Sequence, residues 1–422
     1  MIKIPFIGLT KPVLRVTPTQ FNIVEVPIPK RATLLLEQSG DHKGDYAIKI
    51  GDNVKSGSKI QLFADDPAYT IATVTGTIAS IQTITGNYGK KYIAVTIEQQ
   101  GEDLFCKTYQ NAVSEGKFSS IQPYLSCLPG SPTFNWLSNS SVDTIIINGM
   151  DQDLLVNANQ FAVQENPSFM KAGVKFLKRL DGILQVFLVV PERMLSSVNT
   201  SGAEIIVVDE TYPNYFPNFI LKDFFGKELA ADETPESIGF TFISGQSVAA
   251  IGSAIHTGQL PLNKIVTVID KDGKTQNVTA RIGTPIRDVF QLLGIHTQDG
   301  DRIIMGCPMR GIPLYSEDLP ILPTTDALMV QDKTQLSLVS DYPCINCGEC
   351  IRICPVHVPV NLLVRYLENA QYEDAMDLCD LNSCIECGLC SFVCPSKMPI
   401  FQYIMLGKYE LSQQQKPEAE DE

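Results

Sequence analysis

The sequence predicts a multidomain α/β protein: a strand-rich barrel, a parallel α/β sheet, a small α+β unit and a helical, cysteine-rich module at the C-terminal end. Three observations carry that reading. Short strands broken by turn residues crowd into residues 46–97. From Thr144 onward, continuous apolar strands alternate with a helical stretch, as in a sheet covered on both faces. Eight of the twelve cysteines fall in two runs near the C-terminus. The 422 residues leave room for two to four domains at ~100–200 residues each.

The barrel comes first. Its expected strands are 46–50, 59–63, 70–74, 76–81 and 92–97, with turns at Gly51-Asp52 and Gly86-Asn87. The spacing Gly51-Asp-x-Val54-x-x-Gly57, followed by Gly76-Thr-Ile, resembles the flattened, lipoyl-like β barrel of lipoyl and biotinyl carriers. Such a carrier needs a lysine at the hairpin tip, where this chain has Ala64-Asp-Asp-Pro67. The barrel is therefore read as a docking or framing domain. Beyond it, strands at 144–148, 185–190 and 204–208 enclose a helix over 167–180, and a second helix is expected over 247–257. Residues 264–302 form a small α+β unit, with a strand at 265–269, a turn at Lys271-Asp-Gly-Lys274 and a helix at 286–293. The polar, acidic stretch 413–422 is expected to be disordered.

The cysteine runs are Cys344-Ile-Asn-Cys347-Gly-Glu-Cys350-Ile-Arg-Ile-Cys354-Pro and Cys384-Ile-Glu-Cys387-Gly-Leu-Cys390-Ser-Phe-Val-Cys394-Pro. Each reads C-x2-C-x2-C-x3-C-P, the bacterial ferredoxin spacing for a 4Fe-4S cluster. Three closely spaced thiolates wrap one cubane in a single turn, and the glycine lets the backbone approach its sulfides. The proline then turns the chain away, aiming the fourth cysteine at the neighbouring cluster. One cluster is thus expected on Cys344, Cys347, Cys350 and Cys394, the other on Cys384, Cys387, Cys390 and Cys354. Disulfides are disfavoured in a chain with no export signal. Zinc ribbons use two C-x2-C pairs rather than three evenly spaced cysteines plus a fourth, twice. Cys106, Cys127, Cys307 and Cys379 carry no motif and are read as small buried hydrophobes. Helical spacing over 360–381 makes the module a helical dicluster ferredoxin domain, with Ile345, Ile351, Ile353, Ile385, Phe392 and Val393 available to shield iron from water.

In this order the segments resemble the C subunit of the Rnf ion-translocating ferredoxin:NAD oxidoreductase family, over roughly residues 20–410. The carriers are Gly51–Gly57, Gly258-Gln-Leu-Pro261 leading into Val266, Arg281-Ile-Gly-Thr-Pro285 and Ile304-Met-Gly-Cys-Pro-Met-Arg-Gly311. The two cysteine runs and Pro395-Ser-Lys-Met-Pro-Ile-Phe-Gln-Tyr403 complete the set. The resemblance divides the chain into an N-terminal arm and lipoyl-like barrel (1–125), an α/β domain like a degenerate FMN/NADH domain (126–258), an SLBB-like α+β domain (259–335), the 2x 4Fe-4S ferredoxin domain (336–410) and an acidic tail (411–422). It implies a peripheral electron-transfer subunit on the cytoplasmic face of the cell membrane, with two 4Fe-4S clusters as its electron path. Its implied partners are membrane-embedded and flavin-carrying subunits and an iron–sulfur donor or acceptor protein.

The centre of the chain departs from that family. Where its Gly-rich flavin/NADH loop belongs, residues Leu128-Pro-Gly-Ser-Pro-Thr-Phe-Asn-Trp136 offer one glycine. Backbone amides cradle a phosphate only where glycines let the chain come close, so neither FMN nor NADH is expected to bind. Asn148-Gly-Met-Asp151-Gln-Asp153 and Tyr212-Pro-Asn-Tyr215 are likewise degenerate, and here the chain is more similar to the A subunit of the sodium-pumping NADH:quinone oxidoreductase. Asp151 and Asp153 read as solvated acids past a strand end, and His357 as a surface residue. No catalytic residue is assigned.

Charge and hydropathy exclude further classes. With 47 acidic and 33 basic residues the net charge is −14, which disfavours nucleic acid and direct attachment to anionic lipid. The longest charge-free stretch, 239–263, is interrupted by Gly, Ser, Gln and His and ends in Leu260-Pro261, so no spanning helix is expected. Two rival readings stay open at this point: a soluble flavin-dependent NADH reductase bearing clusters, and an assembly or interaction subunit whose clusters are structural.

Overall fold

A computed structural model describes residues 23–414 apart from 38–45, 64–68, 87–88, 115–116, 139–140, 232, 337–338 and 340–341. The hairpin tip at 64–67 and residues 415–422 fall outside the described residues, whereas 411–414, assigned to the acidic tail and from 413 expected to be disordered, complete the last helix.

The barrel is built from β2 (Arg31–Glu37), β3 (Asn53–Val54), β4 (Lys59–Gln61), β5 (Tyr69–Ile71), β6 (Gly76–Thr85) and β7 (Lys91–Gln99), with β1 (Val24–Glu25) ahead of it. An antiparallel sheet in the order β2-β7-β6-β3 faces the β4-β5 hairpin. The buried face of β2 alternates as Ala32, Leu34 and Leu36, the period-two pattern of a half-buried strand. Gly76 lies so near the Glu98 carbonyl that a Cβ would sit 1.9 Å from its oxygen. Residues 46–50, expected as a strand, form bends. The Lys49 N–H donates to Asp52 Oδ2 at 2.8 Å and Gly51 takes a φ of 95°, which turns the chain off the sheet. Helices α1 (Thr108–Ser114) and α2 (Phe118–Leu125) lead out of the barrel.

The central unit runs β8 (Thr144–Asn148), α3 (Ala158–Glu165), α4 (Pro167–Leu177), β9 (Gln185–Pro191), α5 (Leu195–Val198), β10 (Glu204–Val208), α6 (Pro217–Phe225), β11 (Phe240–Ser244) and α7 (Gly245–Thr257). Its four strands are all parallel, in the order β10-β9-β8-β11. Every residue of β8 is buried, as covering both faces of a parallel sheet requires. Because β9 pairs on one side of β8 and β11 on the other, the carboxyl ends of β8 and β11 flank the point where the topology reverses. Helices α4 and α7 cross through glycines: a Cβ on Gly252 would fall 1.8 Å from the Phe169 carbonyl oxygen, and one on Gly173 2.2 Å from that of Val248.

The α+β unit follows as β12 (Asn263–Ile269), β13 (Thr275–Arg281), α8 (Ile286–Leu292), β14 (Arg302–Met305), β15 (Ile312–Leu314) and β16 (Ala327–Gln331). Its sheet has the order β1-β13-β12-β16-β14-β15, so the N-terminal arm contributes its edge strand, parallel to β13. A nearly buried Arg281–Asp103 ion pair of 2.8 Å joins this unit to the barrel.

The last module contains α9 (Glu349–Ile353), α10 (Val360–Glu368), α11 (Tyr372–Cys379), α12 (Leu389–Val393) and α13 (Ile400–Gln414). The single helical stretch expected over 360–381 is thus two helices. Ala370 adopts a φ of 55°, a left-handed conformation that ends α10 and lets α11 fold back. Both helices bury apolar stripes, Leu363, Val364 and Leu367 against Ala375 and Cys379.

The α4–α7 crossing supplies a direct test. Gly252→Ala places a methyl against backbone that cannot move aside, and overpacking of this kind costs about 1–3 kcal/mol. Urea denaturation of the variant should show that loss, whereas unchanged stability would mean the helices separate freely.

Candidate metal centres

The two cysteine runs share one backbone conformation. Asn346 and Glu386 lie at φ 55° and 57°, and His357 and Lys397 at 58° and 53°. Gly348 and Gly388, at φ 76° and 72°, precede α9 and α12. The N–H groups of Asn346 and Glu386 each donate to the sulfur two residues earlier, Cys344 Sγ and Cys384 Sγ, both at 3.4 Å. Left-handed turns at these points curl each run so that its first three thiols face one way, and α9 packs on α12.

That packing brings the fourth cysteine of each run to the other. Cys344, Cys347, Cys350 and Cys394 line one recess, together with Asn361, Val364, Met398 and Ile400. Burial, reinforced by repulsion from Cys344, Cys347 and Cys394, pushes the Cys350 thiol up to about 11. The second group behaves alike. Burial pushes the Cys390 thiol well up, and Cys384, Cys387 and Cys354 add to it. Cys387 rises to about 12 through burial, with Cys384 and Cys354 adding to the shift. Crowded buried thiols resist ionisation unless cationic iron compensates them, which fits a cluster whose binding expels protons. Among the described residues, no three His, Cys, Asp or Glu side chains close on the position of a single ion.

The two groups differ in their surroundings. Cys387, Leu389, Val393 and Ile353 are packed into an apolar cluster with Tyr212, Tyr215, Phe216 and Met309. The Tyr212 hydroxyl donates to the Cys387 carbonyl at 2.6 Å. Gly388 is so close to the 306–311 loop that a Cβ would lie 2.4 Å from the Met309 carbonyl oxygen. The first run faces outward. Ile345, expected as a shield, is 64% exposed, because its position at the tip of the outer turn has nothing packed over it. Ile353 and Val393 are buried and Ile351, Ile385 and Phe392 half-buried. His357 is exposed, as expected. Of the unassigned cysteines, Cys307 and Cys379 are buried and Cys106 and Cys127 half-buried.

Beside the second run, a cleft of about 430 Å³ opens at the carboxyl ends of β8 and β11, lined by Asn148, Asp151, Asp153, Ser244, Arg310 and Asp326 among others. Asp151 and Asp153 are not solvated acids. Asp151 is 5% exposed and accepts from the Asn159 and Gln160 N–H groups and from Gln160 Nε2. Asp153 accepts from the Leu154, Met309 and Arg310 N–H groups, tying the end of β8 to the 306–311 loop. Burial outweighs these bonds, raising Asp151 to about 7 and Asp153 to about 6. The helix starts around the cleft are occupied by the protein's own side chains. Asp151 takes the first N–H groups of α3, Asn159 Oδ1 accepts from the Gln246 N–H at 2.7 Å, and Ser244 Oγ accepts from the Ser247 N–H at 3.1 Å. The 128–136 loop closes on the same helix: a Cβ on Gly130 would lie 2.1 Å from Ser247 Oγ.

Sequence reasoning singled out the eight cysteines and missed the elements packed around them. Tyr212, Lys408 and the Asp153–loop bonds act across 156 or more residues, 175 for Tyr212, or lie on a helix outside the motif, where spacing carries no signal.

The fold and site define an iron–sulfur protein of the dicluster type, with a barrel appended. The 4Fe-4S dicluster domain family matches residues 343–398, and the RnfC Barrel sandwich hybrid domain family matches residues 7–102. More particularly, the chain is a homologue of proteins named as C subunits of ion-translocating complexes. It is 26% identical over 401 residues to the C subunit of the ion-translocating oxidoreductase complex of Pectobacterium atrosepticum, covering 88% of this chain and 57% of that protein. It is 25% identical over 410 residues to the C subunit of the proton-translocating ferredoxin:NAD(+) oxidoreductase complex of Clostridium ljungdahlii, covering 91% of this chain and 89% of that one. The chain therefore spans little more than half the length of the first relative. A crystal structure of an NAD+-reducing [NiFe]-hydrogenase in its H2-reduced state is similar at a TM-score of 0.46 and 14% identity, covering 74% of this chain and 63% of that one, a likeness too loose to bear on function.

The buried acids give a pH prediction. An unfolded aspartate loses its proton near 3.8, whereas folded Asp151 keeps it to about 7. Between those values the folded state binds more protons, so stability is lost as pH rises through the window, by at most about 1.4 kcal/mol per pH unit for each such carboxyl. Melting temperature should fall from pH 5 to pH 8, and Asp151→Asn should flatten that slope. An unchanged slope would place the titration elsewhere.

Proposed function

We propose that this chain is a peripheral electron-transfer subunit of an Rnf-type ion-translocating oxidoreductase complex, working through two 4Fe-4S clusters and holding no NADH or FMN of its own. The observation that carries the reading is the exchange of fourth cysteines between two packed runs. Cys344, Cys347, Cys350 and Cys394 hold one cluster and Cys384, Cys387, Cys390 and Cys354 the other. Such clusters, when bound, supply one-electron chemistry over a wide range of potential. The chain's own residues do the rest. Cys344 and Cys347 keep one centre near solvent for a partner, while Tyr212, Met309 and Val393 seat the second and keep water from it.

The cleft supports the reading that the chain holds no nucleotide of its own. An incoming phosphate needs free N–H groups at a helix start, and here Asp151, Asn159 and Ser244 already satisfy those of α3 and α7. Asp151, Asp153 and Asp326 line the cleft with acidic side chains, and above the raised values of the first two they add negative charge where an anion would enter. These residues do not fit a nucleotide phosphate, and no step passes through one. The homologues' names, as subunits of multi-subunit complexes, support a reading in which the partners are other subunits of such a complex.

The ligand exchange is testable by matching losses. In reconstituted protein, Cys354→Ser should remove the same EPR signal as Cys384→Ser, and Cys394→Ser the same as Cys344→Ser. If Cys354→Ser instead matches Cys344→Ser, each run holds its own cluster and the reading fails.

Attachment to the cytoplasmic membrane face is assigned to protein partners. Among the described residues no helix is long and apolar enough to cross a membrane, and a net charge of −14 is repelled by anionic lipid. High salt or alkaline washing should release the protein from native membranes, and protein-free anionic liposomes should not carry it in flotation. Flotation with such liposomes would reveal a lipid anchor.

A further inference from the structure

The two cysteine turns match in backbone and differ in their polar side chains: the first run carries a Glu349–Arg352 ion pair where the second has Leu389 and Phe392, and the left-handed positions differ as well. At the left-handed position of the first turn stands Asn346, whose Oδ1 accepts from Asn361 Nδ2 at 3.0 Å. At the same position of the second turn stands Glu386, paired with Lys408 of α13 at 2.8 Å. The Lys408 ammonium also donates to the carbonyl of Cys384 at 2.6 Å. Both side chains are about three-quarters withdrawn from solvent, 22% exposed for Lys408 and 27% for Glu386, so water screens the pair only in part. A neutral amide pair therefore braces the outer turn, and an ion pair the inner one.

We propose that Lys408 positions the Cys384–Cys387 turn and raises the reduction potential of the cluster it carries, setting the two centres apart in potential. The inference rests on the ligand grouping given above. Burial of the second turn disfavours an added electron, because charge is poorly solvated there. An ammonium pinned to the Cys384 carbonyl favours it. Glu386 holds the ammonium in place and moderates its field. Hydrogen bonds and charge around the sulfurs are among the factors that set such potentials. The first turn, half-exposed and braced by amides, has no equivalent charge within its pair.

The test is an EPR-monitored redox titration of the full-length protein carrying both clusters, with dithionite as the electron source. Each signal is assigned by its loss in Cys354→Ser or Cys344→Ser. Lys408→Met leaves Glu386 uncompensated, so the potential of the Cys354-dependent signal should fall while the Cys344-dependent one stays in place. Glu386→Gln should raise it, and the double variant should return it most of the way. Lys408→Arg, which keeps the charge, should leave it near its starting value. A tenfold change in the reduced-to-oxidised ratio corresponds to 59 mV for one electron, well within resolution. If neither signal moves in either single variant, or both move together, the proposal is overturned. If only the Cys344-dependent signal moves, the proposal is likewise overturned; if Cys354→Ser and Cys344→Ser abolish the same signal and the variants move the other, the ligand grouping is wrong instead. Should Lys408→Met lose its clusters, Glu386→Gln decides the matter alone, since a merely structural pair predicts no upward shift.

Discussion

The arrangement turns on one close contact, that of Gly388 with the carbonyl of Met309. No side chain fits between them, so the cysteine turn lies directly on the 306–311 loop. That loop is in turn fixed to the end of β8 by Asp153, which accepts from the Met309 and Arg310 N–H groups. Three units of the chain are thereby locked in sequence: the parallel sheet, the α+β sheet and the cysteine module. Tyr212, from the segment after β10, closes the same contact from the other side through the Cys387 carbonyl. Backbone-to-backbone approach of this kind tolerates only glycine, and that limits how the second turn can sit.

Much of this architecture was legible in the sequence where the signal was local. Cysteine spacing identifies the two turns because a cubane demands fixed ligand separations along the chain. Strand alternation in residues 31–37 and 91–99, and the continuous apolar run of β8, report burial directly. The break at Ala370 was not legible, since alanine is a strong helix former and only the packing of α11 back onto α10 explains its left-handed backbone. Residues 46–50 alternate like a strand, yet the Asp52 side chain captures the Lys49 N–H and a local turn prevails over sheet pairing.

The acids past β8 illustrate a harder limit. Asp151 and Asp153 follow a strand end in a polar stretch, a pattern that elsewhere means solvent. Here each caps backbone that would otherwise be unsatisfied: Asp151 the start of α3, Asp153 the 306–311 loop. A buried aspartate side chain accepting two or three hydrogen bonds satisfies these donors from inside the chain. The same internal pairing occurs at α7, where Asn159 and Ser244 complete the helix start. The parallel sheet has its switch point, and the helix-start N–H groups beside it are bonded to the chain's own side chains.

This internal satisfaction bears on the asymmetry of the two cysteine turns. Beside its cleft the parallel sheet offers an apolar face, and the second turn is pressed onto that face through Leu389 and Val393. Burial there excludes water, which protects iron and sulfide but also removes the solvent that stabilises added charge. The first turn keeps that solvent, with Ile345 in water, an Asn346–Asn361 amide pair at its tip and Glu349 already paired with Arg352. At the second turn α13 brings the Lys408 ammonium to the Cys384 carbonyl and to Glu386. Depth and charge thus go together: the more deeply a redox turn is set into the scaffold, the more its potential depends on the few polar side chains buried with it.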